Sequence, residues 1–488
     1  MSQKYSLSNR DQELKELLEG YEEARQHEKS FYIDAEDCAD LADWCAVGRK
    51  YDLAKEIAQY GLSLHPGNTS LLVELAYLHL DTDDDACAQE IVEQIVEETS
   101  EVIVLKASLL LRNEEVEEAD RLLERVEDKD DLSNITEIAY AYMDAGYLEK
   151  VEVWLKRGET LYADDEAFLK LMADYSLEIS DAERAADYFN RLIDKNPYSP
   201  HYWYGLAVCY KRLSLIDKAI DACDYAIVTD DEYGEAYMLR SDLYLELDNP
   251  EQSIKDLLMA CNFPPVCDHK GMALSCMGTI FLAYKKYAKA IEAFQEAVRD
   301  LQETPQDELA TDLLMETYAN MAHAYFFLGN REMAHHYCQQ ALAISDCNSY
   351  ALLLQGTLYR MDGEEEKGYN AWERALRFDP TADTWYNIGL HCITLGDVQG
   401  ARQALEKAYS LHLDDGGTIE RLALLSLLMG DRRKFVKYNK LCNNPLPDDV
   451  WHSFMQSLEG VDVSAHLTEI VDKYFILGKE NADWDLSE

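Results

Sequence analysis

Basic residues are scarce in this chain. Lys and Arg number 45 against 94 Asp and Glu, a formal net charge of −49 over 488 residues. A field of that sign repels phosphate backbones and anionic headgroups, so neither nucleic acid nor a membrane surface is an expected partner. Glycine and proline are also few, at 22 and 10, which argues against both a disordered chain and an all-β chain rich in tight turns. Twelve cysteines lie scattered without a Cys-x-x-Cys pair. A disulfide framework is therefore not expected, and a reducing, cytoplasmic setting is. No uncharged apolar run reaches the roughly 18 residues that would suggest a membrane span. The opening MSQKYSLSNRDQELKELLEG carries charge where a secretory signal would carry its apolar segment. GxxxxGK, HExxH, GxSxG and a strand-linked GxGxxG are all missing. The expectation is a chain without catalytic residues, metal or cofactor.

What is present is apolar material, 48% of the residues, laid down periodically. In GTIFLAYKKYAKAIEAFQEAV, Gly278 and Phe281 are three apart, and Ala290, Phe294 and Ala297 follow at helical spacing. The pattern predicts a first helix with a small residue on its inner face, a corner at YKKY, and a second helix with a small–large–small face. Small residues recur at Ala42, Ala76, Ala107, Ala139, Ala173, Ala207, Ser241, Gly278, Ala322, Gly356, Gly389 and Ala423. Twelve positions after each stand Ala54, Ala88, Ala119, Val151, Ala185, Ala219, Ser253, Ala290, Ala334, Gly368, Ala401 and Phe435. All but Val151 and Phe435 are small, so the second helix repeats along with the first.

A period near 34 residues, with two helices per unit, resembles the tetratricopeptide repeat. Trp203, Leu206, Tyr210, Ala219 and Ala226 stand as one family-like set, and Trp385, Gly389, Ala401 and Ala408 as another. Pro66, Pro197 and Pro380 close their units where the family often has proline. The resemblance implies an all-α fold: a right-handed superhelical solenoid of about twelve antiparallel helix pairs with helical caps. A single pair cannot bury its own apolar face, so pairs stack to share one core. The expected organisation is an N-terminal capping helix in 1–32, repeats over 33–445 with a lengthened unit near 298–318, closing helices over 446–478 and an acidic tail at 479–488. Pro305 is the expected bend of the lengthened unit, and the double proline of CNFPPVCDHKG predicts an extended link.

The resemblance also implies a concave groove, lined by first helices, that takes a protein or peptide. Net acidity makes a basic or amphipathic ligand the expected one. In the family pattern Asn320 and Asn387 face the groove, where an Asn either bonds a ligand backbone or is simply solvated. Lys211, Arg212 and Arg360 supply isolated positive charge, and Tyr204, Phe326, Phe327 and Tyr386 supply apolar surface, one phenylalanine of the pair being equally suited to core. The family's clamp for a C-terminal carboxylate pairs Lys with an Asn four residues on. Its places here read Ala39/Asp43, Lys170/Asp174, Met238/Asp242 and Ala319/His323, so that mode is not expected.

Charge is also uneven along the chain. Asp81 to Asp131 holds 19 acidic and 5 basic residues, whereas Arg421, Arg432, Arg433, Lys434, Lys437 and Lys440 stand against Asp431 alone. The basic stretch is either a solvated helix face or a secondary contact, through Arg432, Arg433, Lys434 and Lys437, for an acidic surface such as that of another copy. A homo-oligomer is thus an alternative.

Two stretches imitate metal sites. NREMAHHYCQQAL puts His335 and Cys338 three apart, yet Ala334, Cys338 and Ala341 fall on the repeat's packing face, which makes Cys338 a core residue. DTDDDACAQE alternates aspartates at 81, 83 and 85 like a calcium loop. Ala86 and Val92 stand where that loop needs Gly and Glu, which leaves the aspartates a capping role.

Overall fold

Helix follows helix through the described residues, 26 of them and no strand. The computed structural model describes residues 9–27, 31–47, 50–82, 84–263, 270–303, 308–411, 416–442 and 460–476, with 445, 456 and 458. Two units divide the chain between Asp248 and Asn249.

In the first unit, α1 (Asn9–Gln26) precedes a run of pairs. These are α2 (Ala35–Val47) with α3 (Tyr51–Leu64), α4 (Thr69–Leu80) with α5 (Asp85–Val92), and α6 (Ser100–Arg112) with α7 (Val116–Leu123). They continue as α8 (Leu132–Asp144) with α9 (Leu148–Glu159), α10 (Glu166–Glu178) with α11 (Ala182–Lys195), and α12 (Pro200–Arg212) with α13 (Ile216–Thr229). The unit ends with α14 (Gly234–Glu246).

The second unit opens with α15 (Pro250–Asn262), followed by α16 (Lys270–Ala283) with α17 (Tyr287–Glu303) and α18 (Glu308–Phe327) with α19 (Arg331–Ile344). Then come α20 (Ser349–Met361) with α21 (Glu365–Phe378), α22 (Ala382–Thr394) with α23 (Val398–Ser410), and α24 (Gly416–Leu428) with α25 (Arg432–Asn439). The last is α26 (Leu467–Ile476).

Every residue of the two small-residue series is buried. The reason is visible where the first-helix residue is glycine. A Cβ on Gly278 would lie 2.5 Å from Phe294, one on Gly356 2.4 Å from Trp372 and one on Gly389 2.7 Å from Leu405. Each partner stands sixteen residues later, on the second helix of the same pair. Close approach of the backbones and one large side chain together fill the interior at native density.

The corners repeat just as strictly. Glu114, Gly146, Ser180, Ser214, Asp248, Lys285, Gly329, Gly363, Gly396 and Gly430 have φ between 54° and 85°. Each stands seven residues after the small residue of its first helix. The next N–H then reaches back to the helix, as Asn330 N–H does to the Tyr325 carbonyl at 2.9 Å and Asp397 N–H to Cys392 at 2.8 Å, a Schellman closure. That same residue opens the second helix. Asp84, Asp181, Asn249, Asn330, Asp397 and Asp431 all accept a backbone N–H three residues on with their side chains.

At the ends, α1 buries Leu14, Leu18 and Tyr21 in the first core, and α26 buries Leu467, Ile470 and Val471 in the last. The lengthened unit appears as longer helices: α17 has 17 residues and α18 has 20. Pro305, the double proline and the 479–488 tail lie outside the described residues.

Candidate interaction surface

First helices of the first unit share one face, and that face is acidic. Two residues before the small residue stand Asp40, Glu74 and Glu137; one after it stand Asp43, Tyr77, Tyr140 and Asp174; five after it stand Asp81, Asp144 and Glu178. Repetition of the helix pair brings these positions together. Glu74 on α4 feels Asp43 and Asp40 on α2, Asp81 beyond its own helix and Glu101 on α6. Asp81 feels Asp144 on α8, and Asp43 is stabilised by Lys170 on α10, four pairs further along. A charge that far along the chain acts on α2 only because the row of helices curves back on itself.

Negative charge on this face outweighs the positive charge that Lys170, Arg112 and Lys55 bring to it. Burial, reinforced by its acidic neighbours, pushes the Glu74 carboxyl up to about 8. Asp43, Asp81, Glu101 and Asp144 are exposed, yet the helices around them desolvate each enough to raise it. Glu137 and Asp174 are raised by burial too, against hydrogen bonds from Ser133 and Tyr140 that oppose the shift. Tyr140 Oη donates to Asp174 Oδ2 at 2.7 Å and Ser133 Oγ to Glu137 Oε1 at 2.6 Å. On this face two buried atoms, Tyr77 Oη and Glu137 Oε2, have no hydrogen-bond partner among the described residues. The cations nearby include Lys170, Arg112 and Lys55, and Arg112 already holds Asp85 at 3.0 Å.

Most residues singled out from the sequence do other work. Lys211 pairs with Asp242, and Arg212 donates to the Leu177 carbonyl at 2.5 Å. Tyr204 packs edge-on against Tyr233 within an inter-repeat cluster. Phe326 is buried, whereas Phe327 is 51% exposed and stacks on Tyr287. Asn320 and Asn387 are half-buried and make no side-chain hydrogen bond among the described residues. Tyr386 lies under the guanidinium of Arg421 at 5.5 Å.

Arg360 is the most enclosed, its side chain 8% exposed. It binds Glu365 at 2.8 Å and lies over the rings of Tyr369 and Trp372. Gly368 makes room for it, since a Cβ there would meet Arg360 Cγ at 2.4 Å. A cleft of about 520 Å³ opens beside it, walled by Trp372, Trp385, Ile388 and Cys392.

In the basic stretch, Lys434 binds Glu406 at 2.6 Å and Lys437 lies over Tyr409 and Tyr438. Arg432 and Arg433 are exposed and have no side-chain partner among the described residues. His335 binds Asp362 at 2.8 Å and His336 is exposed. Cys338 is fully buried sixteen residues after Ala322, in the slot that Phe294 and Trp372 occupy in other pairs, and burial pushes its thiol up to about 12.

The acidic face escaped the sequence reading although its residues were in view. Asp43, Asp174 and Asp242 were weighed as clamp positions and set aside for not being Asn. Read down the repeat at fixed register, that column sets Asp43, Asp174 and Asp242 among Tyr77, Ser108, Tyr140 and Val208, and the columns two before and five after the small residue add Asp40, Glu74, Glu137, Asp81, Asp144 and Glu178.

Models of the tetratricopeptide repeat match residues 171–233, 353–417 and 316–346. The chain is a tetratricopeptide repeat protein. Repeats of this kind are in general a scaffold for protein–protein interaction, and their proteins are generally non-catalytic. Among curated relatives, this repeat protein is 22% identical over 232 residues to tetratricopeptide repeat protein 8 of Caenorhabditis elegans, covering 47% of this chain and 43% of that one. It is 26% identical over 149 residues to human cilia- and flagella-associated protein 70, covering 30% of this chain and 12% of that one. The chain thus matches less than half the length of either relative. Among solved structures, a tetratricopeptide repeat protein from Parabacteroides merdae aligns with a TM-score of 0.44 at 17% identity, over 53% of this chain and 98% of that one. The Cut9–Hcn1 structure aligns with a TM-score of 0.37 at 14% identity, over 91% and 96%. No helix among the described residues is long and apolar enough to cross a membrane.

Proposed function

We propose that this protein is a non-catalytic scaffold whose first unit binds a basic or amphipathic peptide segment along the acidic face of its first helices. The observation that carries the reading is the set of raised carboxylates around Glu74, with Tyr77 Oη and Glu137 Oε2 left without a hydrogen-bond partner among the described residues. Lysine or arginine side chains would supply countercharge to the solvent-facing carboxylates Asp43, Asp81 and Asp144. A cytoplasmic location accords with this reading, because none of the eleven cysteines described forms a disulfide.

Calorimetric titration with an amphipathic Lys/Arg-rich peptide tests it. Affinity should fall as salt rises, and the combined substitution Glu74→Gln, Asp43→Asn and Asp144→Asn should weaken it by about tenfold or more. Equal binding by that variant, or binding indifferent to salt, would remove the acidic face from the function.

A second reading rests on Arg432 and Arg433, exposed beside residues whose own charges are already used. In it the α25 end of one copy meets an acidic surface of another. Light scattering of the wild type and of Arg432→Glu plus Arg433→Glu decides it: a wild-type monomer, or an oligomer unchanged by the substitutions, rules it out.

A further inference from the structure

Three donors of different chemistry converge at the corner between α4 and α5. His79 lies in the last turn of α4, Asp84 caps α5 and Cys87 lies in its first turn. The Asp84 N–H donates to the His79 carbonyl at 2.9 Å, which brings residues five apart in sequence side by side. His79 Nδ1 then lies 3.0 Å from Asp84 Oδ2, and the nitrogen, carboxylate oxygen and Cys87 sulfur all fall within 4.8 Å of one another. The other carboxylate oxygen, Oδ1, accepts the Cys87 N–H at 3.2 Å. Capping and ligation therefore draw on different atoms of one side chain.

We propose that His79, Asp84 and Cys87 form a site for a borderline-soft divalent cation, zinc above all, with water in the fourth position. Tetrahedral zinc bonds of about 2.0 to 2.3 Å separate the ligand atoms by roughly 3.3 to 3.8 Å. The three donors reach that spacing through side-chain rotation, with the helix corner held by its backbone bonds. Calcium and magnesium are disfavoured, because both want a cage of oxygens and two of these donors are nitrogen and sulfur. Binding releases one proton, from the Cys87 thiol to solvent, while the imidazole binds in its neutral form. Asp81 and Glu90 add negative charge nearby, opposed by Lys55, and Asp85 is held by Arg112. Sequence alone leaves the alternating aspartates at 81, 83 and 85 a capping role. The donors that converge are instead at 79, 84 and 87, a spacing no common motif records.

The test uses the full chain, stripped with chelator and titrated with cobalt(II) and then zinc. One equivalent of cobalt should produce a thiolate-to-metal charge-transfer band, and zinc should displace it. His79→Gln and Cys87→Ser should each weaken binding by at least about tenfold, while Cys347→Ser, at an exposed cysteine elsewhere, leaves it unchanged. Asp84→Asn is the decisive variant, since asparagine caps a helix as well as aspartate does but is a poor metal ligand. It should keep the helical circular dichroism and lose the metal. Binding retained in Asp84→Asn and Cys87→Ser together, or no charge-transfer band at stoichiometric cobalt, overturns the proposal.

Discussion

Gly356 and Trp372 are complementary halves of one packing element: a methyl group on the glycine would sit 2.4 Å from Trp372 Cδ1 and 2.8 Å from the Gly368 carbonyl. The indole Nε1 in turn donates to the Leu353 carbonyl at 2.9 Å, so the ring cannot move aside without losing that bond. Gly356→Ala should therefore destabilise the second unit by about 1–3 kcal/mol. In a Trp372→Leu background the same change should cost less, because the obstructing ring is gone while the close approach to the Gly368 carbonyl remains. Urea unfolding of the four variants measures the coupling.

The left-handed corners make a second prediction with two signs. Gly329 has φ of 85° and nothing within 4 Å of where a Cβ would lie, so Gly329→Ala is penalised by backbone conformation alone, by about 1–2 kcal/mol. Glu114 occupies the equivalent position at φ 63°, and Glu114→Gly should stabilise by up to about 1 kcal/mol. Thermal midpoints of the two variants should move in opposite directions.

Glu74 fixes the sign of a pH dependence in the first unit. Its carboxyl rises from 4.5 to about 8 on folding. Its contribution to stability is thus fully present below pH 4.5 and lost as pH climbs toward 8, where the folded state must also ionise. Measured as wild type minus Glu74→Gln, the loss should reach roughly 2–4 kcal/mol at pH 9. A peptide that neutralises the face should bind more tightly above pH 8 than below 6 and take up less base than the free protein does.

In the second unit the sign reverses. His323 and His391 are buried with ring centres 6.0 Å apart, Tyr350 stacks on His323, and burial lowers the two imidazoles to about 4 and about 3. Unfolded histidine protonates near 6.5, so their contribution is complete above that pH and lost as pH falls toward 4. His323→Gln should remove part of the acid sensitivity, and the ring resonances of His323 and His391, assigned by substitution, should still report neutral imidazole at pH 5. Titration of those two rings near 6.5 would contradict the burial.

Much of this architecture can be read from spacing. Ala42 through Ala423, and the positions twelve further on, mark where helix backbones touch, and nothing but a small residue satisfies that contact in most pairs. Cys338 could be placed for the same reason. The interaction surface was harder to read, because charges there act on residues four pairs apart, as Lys170 does on Asp43, and curvature of a stack is no property of any one repeat. Lys211 and Arg360 looked available because their partners, Asp242, Glu365 and the Trp372 ring, lie in other helices. The donors at 79, 84 and 87 were hidden by a backbone bond across the corner.

Not every large side chain fills a gap within its own pair. Phe189 on α11 occupies the space over Gly205 on the following α12, where a Cβ would lie 2.3 Å from the ring. Excising the 34 residues of α12 and α13 would put Leu239 in that place and force it into Phe189. Recombination could lose or duplicate a helix pair at many points in such an array without breaking its frame, yet this junction would reject the product. Lengths of the array that look interchangeable in sequence are thus keyed at this joint to the neighbour they have.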